Sequence, residues 1–275
     1  MDTPVVAYQG EAGAFSEQGA LQLFPGAELV PLATIRKVFE AVEVGRVDVG
    51  LVPIDNSQAG GINETYDLFL KHGLHLVAET VVRVDHCLMA LPGTHIDELT
   101  EVISHPQAVA QSEEFITSIG VKVRAEYDTA GSAKRIVDEK LETTGAIASR
   151  RAADLYGLEV LAERIQTYPD NYTRFGALSR SPEPLAEPDK SSLVFGVSNV
   201  AGSLYRCIGA FAERHLNLTK IESRPRAGRP WEYVIYVDVD AGATTPPMIE
   251  ALSEMSDHAT FTRLLGTYRG ALGRP

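Results

Sequence analysis

Short apolar and β-branched runs alternate, over the first two thirds of the chain, with longer stretches whose apolar residues recur at helical spacing. This alternation is typical of βαβ units arranged around a mostly parallel sheet. The pattern predicts strands at residues 5–8, 47–52, 101–104, 121–126, 146–148 and 173–178. Between them it predicts helices at residues 15–24, 34–44, 62–72, 107–119, 130–141 and 150–156.

Residues 74–91 form a long β-rich stretch that has no helical periodicity. Because a segment of this kind can leave one sheet and enter another, we place a crossing between two α/β lobes there. Lobe 1 then contains about residues 1–80 and 173–181, and lobe 2 contains about residues 81–172. A cleft between two such lobes would be a preferred ligand site.

The composition changes at residues 180–190, where Pro182, Pro184 and Pro188 stand among charged residues. This predicts an extended linker, which we place at 182–190. Beyond it the pattern predicts strand 192–198, helix 203–215, strands 218–223 and 231–239, helix 247–256 and strand 260–268. That order is βαββαβ, the ferredoxin-like order. The sequence therefore predicts an α/β protein with a two-lobed domain at 1–181 and a ferredoxin-like domain at 191–275.

Acidic residues outnumber basic ones by 37 to 25, which gives a formal net charge of −12. This balance argues against nucleic acid or an anionic membrane as a partner. A small anionic ligand would then have to be held by local cations and backbone amides. Cys87 and Cys207 form no CxxC pair, and His72 and His75 have no third ligand nearby, so the spacing predicts neither a disulfide framework nor a metal site.

The first residues show no basic segment followed by a long apolar run, and no apolar run is long enough to span a bilayer. We therefore expect a cytoplasmic protein without a membrane partner.

Three polar segments follow predicted strands, which is where open α/β sheets bind ligands. They are GEAGAFS at 10–16, PIDNSQAGG at 53–61 and SHPQ at 104–107. Each also has a plain structural interpretation, because glycines permit tight turns and Asp, Asn and Ser close turns or cap helices. A fourth segment, NYTRF at 171–175, sets a hydroxyl beside a permanent cation, and an arginine can bind a carboxylate through two hydrogen bonds. Its plain interpretation is an alternating strand with Tyr172 and Arg174 facing solvent.

The segments GEAGAFS, PIDNSQAGG, ISHPQAVAQ, DTAGSA, GAIASRRAADLYGLEVL and NYTRF occur in this order along the chain. Together they resemble the prephenate dehydratase family, including its plant-type arogenate dehydratases, over nearly the whole chain. The resemblance implies a two-lobed, periplasmic-binding-protein-like catalytic region followed by a ferredoxin-like ACT domain. It also implies that neither a metal nor an organic cofactor is needed.

The activity implied by the resemblance is loss of carbon dioxide and hydroxide from prephenate, which leaves phenylpyruvate. The family motif implies that Thr173 donates a hydrogen bond to the departing hydroxyl, that Arg174 binds or positions a carboxylate, and that Phe175 shapes a water-poor pocket. Residues implied to bind substrate or hold the residues that do so are Asn56, Ser57, Ser104, His105 and Gln107. Asp55 replaces the commoner glutamate and reaches about one methylene less, so we expect it behind the residues that touch substrate. Ala14 replaces a common threonine.

The C-terminal domain carries a motif that related ACT domains use to bind phenylalanine. Its two halves are ESRP, formed by Glu222, Ser223, Arg224 and Pro225, and a Gly-Ala-Leu segment, for which Gly202, Ser203 and Leu204 stand in. Asn199 is a candidate acceptor for the ligand's ammonium group. The resemblance implies L-phenylalanine as effector at a subunit interface of a homodimer or homotetramer. The plain interpretation of ESRP is a strand end closed by proline.

Two other functions stay open on the sequence alone. Arogenate dehydratase performs the same elimination on a substrate with an amino group in place of the keto group. A catalytically silent amino-acid-binding sensor could use the same fold, although an intact NYTRF argues against it.

Overall fold

The computed structural model describes residues 3–226, 229 and 231–271. Its strands are β1 (Val5–Gln9), β2 (Glu28–Leu32), β3 (Val49–Asn56), β4 (Gly60–Gly61), β5 (His75–Arg83), β6 (Cys87–Ala90), β7 (Glu101–Ser104), β8 (Lys122–Ala125), β9 (Thr144–Ala148), β10 (Glu159–Glu163), β11 (Tyr172–Ser179), β12 (Lys190–Gly196), β13 (Leu218–Pro225), β14 (Tyr233–Val239) and β15 (Phe261–Tyr268). Its α-helices are α1 (Phe15–Leu23), α2 (Ile35–Glu43), α3 (Asn63–Lys71), α4 (Pro106–Gln111), α5 (Glu113–Ile119), α6 (Thr129–Glu139), α7 (Arg150–Tyr156), α8 (Ser203–Ala212) and α9 (Pro246–His258).

The predicted α/β class is confirmed, and residues 74–91 contain strands of two different sheets. Strand β5 belongs to a six-stranded sheet with the path β2-β1-β3-β11-β5 and β4 paired to β3, whereas β6 belongs to a five-stranded sheet with the order β10-β6-β9-β7-β8. The expectation of a mostly parallel arrangement holds only in part, because β6 runs antiparallel to both β9 and β10.

Four details differ from the predicted pattern. Strands β2 and β10 were not predicted, since each lies at a sheet edge and mixes polar and apolar residues. Strand β3 continues to Asn56 because its last residues pair with β4. The predicted helix 107–119 breaks at Ser112, because the carbonyl of Gln111 accepts a hydrogen bond from the Thr167 amide instead of continuing the helix.

The residues divide into two compact units. Unit 1 consists of Met1–Val38, Leu51–Ile62 and Val81–Phe175, and unit 2 consists of Phe39–Gly50, Asn63–Thr80 and Gly176–Pro275. In unit 1, helices α6 and α7 pack on the five-stranded sheet through small residues such as Ala133 and Ala152. A Cβ on Gly13, whose φ is +90°, would lie 2.8 Å from the Ala152 backbone. The loop before α1 therefore needs glycine there.

Unit 2 contains the predicted βαββαβ element. Strands β12 to β15 form a four-stranded sheet of order β13-β14-β12-β15, and its strand pairs are antiparallel. Helices α8 and α9 pack on it around Phe195, Phe211 and Met255. This arrangement confirms the ferredoxin-like order. Lys190, placed by the sequence in the linker, is the first residue of β12 and is buried.

None of the helices within residues 3–226, 229 and 231–271 has the length and apolar character needed to cross a bilayer.

A buried ion pair explains why Lys190 lies inside unit 2. Its Nζ donates to both carboxylate oxygens of Glu79 at 3.0 Å and lies 3.7 Å from Asp238, and the side chains of Lys190 and Glu79 are 3% and 2% exposed. Charges this deep in a protein are tolerated only when they are paired. The start of β12 is therefore anchored to β5 by electrostatics.

We predict that Glu79→Gln lowers the free energy of unfolding by about 3 kcal/mol, because it leaves the Lys190 charge undercompensated in a buried site. The control is Glu250→Gln. The Glu250 side chain, which pairs with Arg214, is 67% exposed, so its substitution should change stability by less than about 0.5 kcal/mol. Denaturant unfolding of both variants measures the difference. Equal effects would show that the buried pair has no special role.

Candidate active site

Unit 1 contains a cavity of about 270 Å³ at the ends of β1, β3 and β7. Of the residues proposed from sequence, Asn56, His105, Gln107, Thr173 and Phe175 line it. The remaining walls are Gln9, Ala14, Phe15, Ser16, Pro53, Ala59, Ile62, Val84, His86, Ala108, Gln111, Tyr127, Asp128 and Thr129.

Strand alternation separates the three residues of the TRF motif. Thr173 and Phe175 are buried and line the cavity, whereas Arg174 points to the opposite face of β11. There its Nη1 lies 3.6 Å from Oδ2 of Asp55. Asp55 is likewise separated from Asn56 by alternation on β3. The structure therefore keeps the Arg174–Asp55 pair together but does not bring it to the cavity.

Ser57 and Ser104 also lie outside the cavity wall. The Ser57 hydroxyl donates to the Asp170 carbonyl at 3.1 Å and accepts from the Tyr172 amide at 2.9 Å, which ties the end of β3 to the start of β11. The Ser104 hydroxyl is fully buried and donates to the Ile147 carbonyl at 2.6 Å. Both hydroxyls hold backbone segments that carry cavity residues.

The orientation of the Asn56 amide follows from two backbone contacts. Its Oδ1 accepts hydrogen bonds from the amides of Gln58 and Ala59 at 3.0 and 2.9 Å, so the other end of the side chain must be the donor. Its Nδ2 donates to Oδ1 of Asn171 at 2.8 Å and lies 3.1 Å from both the Tyr172 carbonyl and Oγ1 of Thr173, which share its second proton. Thr173 therefore accepts from Asn56, and its own O–H proton remains to be donated. No acceptor for that proton is present among the described residues.

The same reasoning extends to a buried histidine. Because Oδ1 of Asn171 is an acceptor, its Nδ2 is a donor, and it donates to Oε1 of Gln111 at 2.9 Å. His86 Nε2 lies 2.9 Å from that same oxygen, so Nε2 must carry a proton. In the neutral ring Nδ1 then has a free lone pair. His86 is 2% exposed, and within the described part of the chain its Nδ1 has no hydrogen-bond partner.

Both cavity histidines are held in the neutral form. Burial lowers the pKa of His86, although its hydrogen bond to Gln111 and the charge of Asp85 offset part of the effect. Burial also lowers the pKa of His105, against a smaller opposing effect of Asp128. His105 Nδ1 accepts from the Gln107 amide at 3.1 Å, so its Nε2 is the protonated nitrogen. His105 is therefore a neutral donor and His86 a neutral acceptor.

The charge of the cavity differs from the expectation that local cations would hold an anionic ligand. Within residues 3–226, 229 and 231–271, no Lys, Arg or Glu lines the cavity, and Asp128 is the one Asp in its wall. The lining residues therefore offer a bound carboxylate neutral donors. The same described residues contain no group of three or more His, Cys, Asp or Glu side chains able to hold a metal ion.

Sequence reasoning missed four cavity or network residues: His86, Gln111, Asp128 and Asn171. A signal existed for Gln111, because it lies four residues after Gln107 on the predicted helix and so on the same face. Asn171 stands in the NYTRF segment and Asp128 in DTAGSA. His86 had no local signal, since its role depends on partners distant in sequence.

A second cavity, of about 570 Å³, lies in unit 2. Four proposed effector residues line it: Asn199, Gly202, Ser203 and Leu204. Gly202 precedes α8 with a φ of +82°, a conformation that favours glycine. The exposed aromatic side chains of Tyr205 and Trp231 are also on the wall.

The other half of the proposed effector motif does not line this cavity. Glu222, Ser223, Arg224 and Pro225 lie on the edge strand β13. Arg224 donates to Oδ1 of Asn63, the first residue of α3, and lies 3.4 Å from Oδ1 of Asp67 in the same helix. Within one chain, the two halves of the motif thus occupy separate places in unit 2.

Comparisons with known proteins agree with this architecture. The family model for prephenate dehydratase matches residues 6–183. Arogenate dehydratase 1 of Petunia hybrida is 44% identical in an alignment that covers 96% of this chain and 66% of the relative, so the chain spans about two thirds of that relative's length.

Two solved structures are similar over nearly the whole chain. One is a prephenate dehydratase from Arthrobacter aurescens in complex with L-Phe, with a TM-score of 0.88 and 29% identity, covering 97% of this chain and 90% of that one. The other is described as a novel type of quorum quenching acylase, with a TM-score of 0.88 and 33% identity, covering 97% of this chain and 98% of that one.

The fold and the matches define a dehydratase of the lyase class. The resemblance inferred from the motifs is confirmed, and the chain belongs to the prephenate dehydratase family.

We predict that His86 is protonated at Nε2 and unprotonated at Nδ1. Long-range ¹H–¹⁵N NMR correlations should show this tautomer, and the ring should become charged at a lower pH than an ordinary histidine does, because burial lowers its pKa. His86→Asn identifies the resonance. A proton on Nδ1 would mean that the hydrogen bonds of the amide network run in the opposite direction.

Proposed function

We propose that the cavity of unit 1 catalyses the decarboxylative dehydration of prephenate to phenylpyruvate in aromatic amino acid biosynthesis. The observation that carries this proposal is the unused proton of Thr173. The Asn56 nitrogen can only donate to the threonine oxygen, so the O–H proton stays available to a ligand, and the elimination needs a donor for the departing hydroxyl. Membership of the family supplies the reaction class.

The chemistry divides into leaving-group stabilisation and alignment. Loss of carbon dioxide from the ring carboxylate supplies the electron pair that expels the hydroxide and aromatises the ring. Thr173 is a weak acid, so it acts through a short hydrogen bond that strengthens as charge develops on the departing oxygen. The neutral donors of His105 and Gln107 hold the carboxylates, and Phe175 limits water.

The residues behind the wall have positioning roles in this proposal. Ser57 and Ser104 hold the ends of β3 and β7. Arg174 acts through Asp55 on the far face of β11, where the pair fixes the two strands that carry Thr173 and Asn56. Asn56 itself both orients Thr173 and lines the cavity.

A second candidate is arogenate dehydratase, favoured by the 44% identical plant relative of that name. It performs the same elimination and uses the same donor. The name of the acylase neighbour suggests a different chemistry, amide hydrolysis, which needs a nucleophile activated by an adjacent base. Among the described residues Thr173 contacts the Asn56 amide and no base, so the cavity favours elimination.

The test is an assay of purified protein with prephenate, comparing Thr173→Ala with Thr173→Ser. We expect phenylpyruvate from the wild type and a turnover at least about 10²-fold lower in Thr173→Ala, the scale of a positioned proton donor. Thr173→Ser retains the hydroxyl and should keep much more activity. Wild-type turnover in Thr173→Ala would remove this residue from the mechanism, and no turnover of prephenate or arogenate by the wild type would refute the function.

We further propose that residues 190–275 form an ACT regulatory domain that binds L-phenylalanine, joined by a linker at 182–189 to a catalytic domain at 1–181. Three observations support it: the ferredoxin-like order, the cavity beside Gly202, and the L-Phe in the complex of the Arthrobacter protein. Backbone amides at the start of α8 would bind the carboxylate, and Asn199 would accept from the ammonium group.

The proposed assembly is a homodimer or homotetramer in the cytoplasm. Strand β13 is a sheet edge on which Ile221 is 54% exposed, and Trp231 beside the cavity is 81% exposed. A second copy would cover both features and bring its own ESRP segment to the cavity. Feedback inhibition then follows as a population shift with a coupling of about 1–3 kcal/mol.

We predict that Gly202→Val weakens L-phenylalanine binding by about tenfold or more, since valine strains a positive φ and its Cβ would lie 2.9 Å from the Arg206 guanidinium. Gly209→Val on the same helix is the control, because no heavy atom lies within 4 Å of a Cβ there. Isothermal titration of both variants gives the comparison. Unchanged affinity in Gly202→Val would place the effector elsewhere.

A further inference from the structure

The cavity of unit 1 has an unexpected charge for a dianionic ligand. Prephenate carries two carboxylates, yet within the described part of the chain the cavity wall contains no Lys or Arg and one carboxylate, that of Asp128. A carboxylate in the wall repels a dianion and attracts any cationic group on the ligand. The negative charge of the cavity wall therefore affects which substrate the site prefers.

Asp128 is held in place by one of its oxygens. Oδ2 accepts from the Glu11 amide at 2.9 Å and from the Gly131 amide at 3.2 Å, the second bond capping α6. Oδ1 accepts no hydrogen bond among the described residues. A Cβ on Gly10 would lie 3.5 and 3.7 Å from the two oxygens, so this glycine keeps the space beside the carboxylate open. The carboxylate is fixed but still able to accept from a ligand.

A second acceptor in the wall lacks a donor. The Nδ1 lone pair of His86 is buried in a ring that is 2% exposed and lines the same cavity. That nitrogen is itself closed off from solvent, so of the two acceptors a ligand meets the Asp128 carboxylate, and it must bring a hydrogen-bond donor to satisfy it. Prephenate has one, its hydroxyl, whereas arogenate adds an ammonium group with three N–H bonds.

We propose that Asp128 binds the ammonium group of an amino-acid substrate and so shifts the selectivity of the site toward arogenate relative to prephenate. The two molecules share the ring carboxylate and the hydroxyl, and they differ in net charge only through this amine. The inference rests on the proposed function, because it assumes that this cavity performs the elimination.

Asp128→Asn tests the idea with little structural change. Asparagine caps helices as well as aspartate does, and its carbonyl can keep the bonds to Glu11 and Gly131. The ratio of kcat/KM for arogenate to kcat/KM for prephenate should fall by about tenfold, the scale of one hydrogen bond to a charged group. The arogenate value should decrease because the ion pair is lost, and the prephenate value should rise because repulsion is relieved.

The matched control is Asp138→Asn, which changes the same charge on an exposed position of the same helix and should leave the ratio within about twofold of wild type. If Asp128→Asn does not fold, Asp128→Ser, also a capping residue, replaces it. A proportional loss with both substrates would make Asp128 a structural residue and overturn the proposal. An unchanged ratio would overturn it while leaving the elimination intact, whereas a wild type inactive on both substrates would refute the proposed function itself.

Discussion

The backbone amides of Gln58 and Ala59 determine the direction of the polar network in the cavity wall. By donating to Oδ1 of Asn56 they leave its nitrogen as the donor, and each later bond follows because an amide side chain has one accepting and one donating end. The network ends in two opposite groups, a Thr173 proton that can be donated and a His86 lone pair that can accept. The reactivity of the site thus depends on a turn that follows β3.

This turn exists because β3 does not stop where its apolar run stops. The strand continues through Asp55 and Asn56 and pairs with Gly60 and Gly61, which folds the intervening residues back over the Asn56 side chain. The amides are then satisfied by a side chain rather than by water. Each pairing in this network matters, because one unpaired buried group costs about 1–3 kcal/mol, and among the described residues Nδ1 of His86 is already such a group.

The sequence predicted the fold class and the order of most elements because apolar periodicity records which face of each segment is buried. It did not predict β2 and β10, whose edge positions require no continuous apolar face, nor the break at Ser112, which is caused by Thr167 from a distant segment. The break matters for the site, because it presents Gln111 to Asn171 and His86. The spacing of apolar residues shows which face of a segment is buried. It contains no information about hydrogen-bond partners that are distant in sequence.

Sequence patterns also do not show which residues of a motif face the same side, and for this reason the TRF motif suggested a cation in the cavity that the cavity wall does not contain. Adjacent residues in a motif occur together in sequence, but in a strand they face opposite sides, so Thr173 and Arg174 cannot both reach one ligand from β11. The cation in the motif pairs with Asp55, and the cavity is left with neutral donors and one carboxylate. A wall without cations binds a dianion less tightly than a basic one, and its neutral donors stabilise the ring carboxylate, which must leave as uncharged carbon dioxide, less than an arginine would. Weak ground-state binding of that group favours the elimination, because only interactions that grow stronger in the transition state lower its barrier.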